Sequence, residues 1–110
     1  MANTEMNYVD VGLRGRIYSK HVSNIDVNSA WGGVYTTTNP HIQVDVNETD
    51  IESKKIFVNF VPDKGVAASN CMSMLSQDYT DSYVHVLLMR GTATSSSQKT
   101  SGTVYVIIYD

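Results

Sequence analysis

Asp78, Tyr79 and Asp81, within Gln77-Asp-Tyr-Thr-Asp-Ser82, are the residues of this sequence best equipped for chemistry. Two carboxylates flanking a cleft can act as general acid and base in glycoside hydrolysis. On a loop, which this polar stretch is expected to form, such a pair more often binds than cuts. Tyr79 would offer a flat face to a sugar ring while Asp78 and Asp81 accept hydrogens from its hydroxyls. The plainer alternative is an Asx-rich turn whose carboxylates serve their own backbone.

Other chemical patterns are weaker. No glycine-rich phosphate loop, Cys-x-x-Cys pair, His-Glu-x-x-His or Gly-x-Ser-x-Gly occurs. His41, Gln43 and Asp45 would share one face of a strand, and a histidine and a carboxylate so spaced can reach one metal ion. Their expected role is the solvated side of an amphipathic strand. His85, in phase with Tyr83, Leu87 and Met89, reads as a hydrogen-bonded interface or core histidine rather than a base. Cys71 reads as a small buried hydrophobe. Trp31, beside Gly32 and Gly33, reads as a core residue rather than a sugar platform. Asn47-Glu-Thr49 matches a glycosylation sequon that is expected to be accidental. The expectation is a non-enzymatic chain with no catalytic residues, no metal site and no cofactor.

Composition narrows the classes further. The 110 residues suit one domain, with residues 1–14 as a polar lead-in and 15–110 as the folded unit. A formal charge of -3, with 8 Lys and Arg scattered along the chain, argues against nucleic-acid binding. With 1 cysteine there is no internal disulfide, which fits maturation in a reducing cytoplasm. No apolar run is long enough to insert in a membrane, and the polar N-terminus is unlike a signal peptide.

The elements that must position these groups are strands. Ile42, Val44 and Val46 alternate with Gln43, Asp45 and Asn47, the clearest half-buried strand. Arg14–Ser19, Val22–Asn28 and Trp31–Thr38 read as further strands, with a turn at Asn39-Pro40 and another at Pro62-Asp-Lys-Gly65. Glu48–Lys55 reads as a polar connection, and Val66–Gln77 as either a helix or a strand. The polar stretch 91–102 reads as a long hairpin loop between the last two strands. Short strands with turns between them predict an all-β, antiparallel, jelly-roll-like sandwich.

Three strands are apolar on both faces. In 103–110, Val104, Val106 and Ile108 oppose Tyr105, Ile107 and Tyr109; in 56–61, Ile56, Val58 and Phe60 oppose Phe57, Asn59 and Val61. In 83–89, Val84, Val86 and Leu88 oppose Tyr83, His85, Leu87 and Met89. A small antiparallel domain needs only one dry face. The surplus is read as a subunit interface formed by Phe57, Val61, Tyr83, Leu87, Met89, Tyr105, Ile107 and Tyr109. The competing reading is a strand roofed by a long loop of the same chain.

One family shares this order of residues. Gly15, Tyr18, Lys20, Ser23 and Ile25, then Trp31-Gly-Gly-Val-Tyr-Thr36, Ile42-Gln-Val44 and Gly102-Thr-Val-Tyr-Val-Ile-Ile-Tyr109 resemble the C-terminal head domains of bacteriophage tail-fibre and baseplate receptor-binding proteins. The Tyr-to-Trp spacing is longer than in those heads, and Tyr109-Asp110 replaces their glycine-containing tail. The resemblance implies a homotrimer at a virion fibre tip, made in the bacterial host cytoplasm, which binds a cell-surface glycan or other receptor. It transfers no defined binding residues. A chain of this length would be an excised head or a small accessory subunit contacting other virion proteins. The competing functions are a structural virion protein making only protein contacts and a monomeric carbohydrate-binding or immunoglobulin-like module, with an enzyme last.

Overall fold

The computed structural model describes residues 8–12, 14–27, 41–65, 71–90 and 98–110, and it is mostly antiparallel β-sheet. The strands are β1 (Tyr8–Gly12), β2 (Gly15–Val27), β3 (His41–Asp45), β4 (Lys55–Pro62), β5 (Cys71–Thr80), β6 (Tyr83–Arg90) and β7 (Gln98–Tyr109). One 3₁₀ turn, Ile51–Ser53, separates β3 from β4. The first sheet has the order β1-β2-β7-β4 and the second β3-β6-β5.

The pairing is nested. β2 pairs with β7 and β3 with β6, while β4 runs beside β5, as in a long hairpin coiled over itself. The stretch between β6 and β7 therefore joins two different sheets and is not the hairpin loop expected from its composition. Its residues 98–102 are strand, pairing with Val22–Val27.

Period-two alternation sorts the side chains. Tyr18, Val22, Phe60, Val104, Val106 and Ile108 of the first sheet join Ile42, Val44, Val84, Val86 and Leu88 of the second in one buried cluster, closed at one end by Val46 and Ile51. Each such side chain is worth about 1.5–3 kcal/mol when fully withdrawn from water. The alternating strands 42–46, 56–61, 83–89 and 103–109 take the phases expected of them.

Three expectations are corrected, and one left open is decided, by pairing that local sequence does not announce. Arg14–Ser19 and Val22–Asn28 are not separate strands, because β2 runs through both and absorbs one extra residue between Val22 and Ile25. Asn24 takes a positive φ of 54° at that bulge and donates its backbone N–H to Ser101 Oγ at 2.8 Å. The lead-in is partly structured, since Tyr8–Gly12 pairs with β2. Val66–Gln77 resolves as strand from Cys71 onward, and Gln77–Thr80 belongs to the same strand rather than to a loop. Residues 66–70, and Trp31 with its neighbours, lie outside the described residues.

Gly102 marks the tightest approach. A Cβ there would lie 2.4 Å from the Val61 carbonyl oxygen and 2.6 Å from Phe60 Cζ. Only glycine lets β7 pass the end of β4 so closely.

Candidate functional site

Asp78, Tyr79 and Asp81 do not converge. As neighbours on a strand, Asp78 and Tyr79 point to opposite faces. Tyr79 turns inward and is partly buried against the core. Asp81 sits in the β5–β6 turn and works for the backbone: Ile51 N–H donates to its Oδ1 at 2.9 Å and Asp50 N–H to its Oδ2 at 3.3 Å. Val46 and Glu48 add N–H bonds to the carbonyls of Ser82 and Asp81, both at 3.0 Å, stapling the turn to the β3–β4 connection. A depression of about 280 Å³ lined by Asp50, Ile51, Glu52, Tyr79, Thr80 and Asp81 remains at this end.

Asp78 joins a different set, on the outward face of the second sheet. The register there slips by two residues between Leu75 and Tyr79, so the strand bulges through Ser76, Gln77 and Asp78. The bulge brings His85 Nδ1 to the Asp78 carbonyl oxygen and to its carboxylate, both at 3.0 Å, and sets the carboxylate under the Tyr83 hydroxyl, which donates to it at 3.3 Å. The Asp78 charge, with lesser help from desolvation, raises the Tyr83 phenol above its ordinary value. His85 Nε2 meets Gln43 Oε1 at 3.2 Å, and Gln43 donates its Nε2 to Asp45 at 3.0 Å. A chain of polar contacts thus crosses β3, β6 and β5. The rings of Tyr83 and His85 lie 4.9 Å apart. Next to the chain is a depression of about 370 Å³ lined by Met74, Leu75, Ser76, Gln77 and Leu87.

The expected interface residues divide between two outward faces. Phe57, Val61, Tyr105, Ile107 and Tyr109 share the outer face of the first sheet, where Ile17 pairs with Ile107 from the other side. Phe57 is 55% exposed and Val61 46%, and the Phe57 and Tyr109 rings meet edge to face at 6.1 Å. Tyr83, Leu87 and Met89 lie on the outer face of the second sheet. Leu87 and Met89 are 3% and 7% exposed and form a small cluster of their own, so this part of the face is dry within a single chain. Met72 and Met74 beside them are exposed.

A polar cluster at the end of the core escaped sequence reasoning. Glu48, whose side chain is 1% exposed, accepts Arg16 Nε and Nη2 at 2.8 Å each, Lys54 Nζ at 3.0 Å and the Tyr18 hydroxyl. Arg16 Nη2 also reaches Asp110 Oδ1 at 2.8 Å, and Arg14 Nε donates to Asp110 Oδ2 at 3.0 Å. Burial pushes the Glu48 carboxyl up, but donors from Arg16, Tyr18 and Lys54 outweigh it and hold the group below its ordinary value. The hydrogen bond to Glu48 raises the Arg16 guanidinium against its own desolvation. Burial first, and then the bond to Glu48, push the Tyr18 phenol up. The hydrogen bond from Arg16 lowers Asp110. This geometry clamps β2, β7 and the β3–β4 connection together; its carboxylate is enclosed by protein donors.

His41, Gln43 and Asp45 are exposed on one face as expected. Among the described residues no three His, Cys, Asp or Glu side chains gather as metal ligands would. Cys71 is half-buried against the core rather than fully buried. No helix among the described residues is long and apolar enough to cross a membrane. Comparison with protein-family models, curated proteins and solved structures finds no match to this chain.

Proposed function

We propose that this chain is a jelly-roll-like β-sandwich head of a non-enzymatic virion adhesin, which assembles as a homotrimer and binds a saccharide-bearing receptor on a bacterial surface. The observation that carries the proposal is the outer face of the β1-β2-β7-β4 sheet. Ile17, Phe57, Val61, Tyr105, Ile107 and Tyr109 form an apolar surface across three strands, with Phe57 more than half exposed. Contiguous apolar surface of this kind marks an interaction site. Nested pairing of β2 with β7 and β3 with β6 fits the jelly roll, an architecture used by capsid and lectin domains. That likeness is one of fold and is joined by the resemblance of the strand motifs to fibre heads. Three weak sites on one trimer would gain avidity from multivalency.

Sedimentation or light scattering at micromolar concentration tests the assembly. The expected mass is a trimer for the parent chain and a folded monomer for Phe57→Lys with Ile107→Lys; a monomeric parent chain overturns the proposal. A second reading, a structural virion protein with protein contacts alone, is favoured by the inward ring of Tyr79 and the engaged carboxylate of Asp81. It predicts the same oligomer with no retention on a bacterial glycan array.

A further inference from the structure

Resting on the saccharide reading above, we infer that the sugar is held on the outer face of the second sheet, at the β5 bulge, and not at the β5–β6 turn. Four observations meet there. The Asp78 carboxylate accepts the Tyr83 hydroxyl at 3.3 Å and lies 3.0 Å from His85 Nδ1, which bonds the Asp78 carbonyl oxygen at the same distance, yet its side chain is 66% exposed. A carboxylate has about four lone-pair positions, so two remain for ligand hydroxyls after these bonds. With both ring nitrogens protonated, His85 donates Nε2–H to Gln43 Oε1 on the far side and Nδ1–H toward Asp78, and in that form the acceptor is positioned before any ligand arrives.

The adjoining depression of about 370 Å³ lies at the small end of the range for small-molecule sites, about 300–1,000 Å³. Its lining has both characters a pyranose needs. Met74, half exposed above the buried Leu87, gives an apolar floor for the C–H face of the ring, while Ser76 and Gln77 give hydroxyl and amide groups at its edge. Leu87 follows His85 by two residues on β6, which sets the floor about 7 Å from the imidazole along the same face. A bulge that re-aims one side chain and opens a hollow beside it is a recurrent way to build a site on a sheet. By contrast, the depression at the turn is ringed by three carboxylates, and its one aliphatic lining residue, Ile51, is buried. The chemistry recognised at the bulge is a neutral sugar with adjacent hydroxyls: two O–H groups donate to Asp78 and the opposite C–H face covers Met74.

The experiment uses the full chain with methyl glycosides of glucose, galactose, mannose, rhamnose and N-acetylglucosamine, followed by methyl and amide chemical shifts. In the parent chain the expected result is a saturable shift of the Met74 and Leu87 methyls with at least one glycoside. Asp78→Asn is expected to raise its Kd about tenfold or more, the loss of hydrogen bonds to a charged acceptor. Met74→Arg, which fills the hollow from a half-exposed position, abolishes the shift, while Glu52→Gln at the turn leaves it unchanged. Shifts confined to Tyr79, Thr80 and Asp81, or binding retained by both Asp78→Asn and Met74→Arg, overturn the bulge site and leave the saccharide reading standing. Absence of any shift, together with no retention on a bacterial glycan array, overturns the saccharide reading itself and this inference with it.

Discussion

Glu48 and Asp78 are built alike and do different work. Each carboxylate accepts a tyrosine hydroxyl, Tyr18 or Tyr83, and contacts a basic side chain, Arg16 or His85. The side chain of Glu48 is 1% exposed and that of Asp78 66%. Around Glu48 the protein itself supplies the donors, so the group is consumed in holding three segments together. Around Asp78 the Tyr83 hydroxyl and the nearby His85 fix the position and the rest of the carboxylate faces outward, which leaves a place for exchange. Burial, more than residue type, separates a clamp from a recognition group.

Loss of the Glu48 carboxylate has the largest expected effect. Glu48→Ala leaves Arg16 and Lys54 with Asp110 alone as their anion and takes the carboxylate from the Tyr18 hydroxyl, which keeps the Asn47 backbone, so it is expected to cost about 3–5 kcal/mol in urea unfolding. Glu48→Gln keeps the shape but loses the charge, and about 1–3 kcal/mol is expected by the same assay.

Acid sharpens the contrast within the parent chain. Glu48 and Asp110 stand below their ordinary values in the fold, so their stabilisation is complete above the ordinary carboxylate values and is lost as pH falls through the lowered folded ones. Unfolding midpoints followed downward from pH 6 should therefore converge between the parent chain and Glu48→Gln. Tyr18 gives the opposite sign: its phenol is raised from 10.0, so its contribution is full below that value and declines as pH climbs above it. Tyr18→Phe should flatten the alkaline limb. The smallest effect belongs to Asp78→Asn, expected to move stability by no more than about 0.5–1 kcal/mol, because an exposed ion pair contributes little. A loss at Asp78 as large as that at Glu48 would abolish the distinction.

Period and composition made much of the sheet legible. Ile42/Val44/Val46 and Val104/Val106/Ile108 announce their inward faces because alternation is a local property. The charged clamp was obscured because its members come from distant parts of the chain, yet a signal was present. Glu48 continues the inward phase of Ile42, Val44 and Val46, and Arg16 and Tyr18 share the phase of Val22. Extending strand parity past the last apolar residue would have pointed them inward, where composition read only a polar connection. Asp78 stands out in the sequence beside Tyr79 and Asp81, but its neighbours in the fold are Tyr83 and His85. The density of Asp, Ser and Thr suggested a loop, and only cross-strand register shows that one face receives Asp78 and the other Tyr79. The same limit applies to the doubly apolar strands: alternation exposes the surplus, but whether it faces solvent or the chain itself depends on packing far along the sequence.

The position of β7 bears on how the protein comes into being. It lies between β2 and β4 and hydrogen-bonds to both, yet follows every other strand in chain order. While the polypeptide leaves the ribosome, β2 and β4 wait with bare edges for a neighbour not yet made. Closure over so long a separation belongs to the slow, high-contact-order regime, about milliseconds to seconds. Those waiting edges are where a nascent chain would pair wrongly with another copy, so synthesis at low density favours the native sheet.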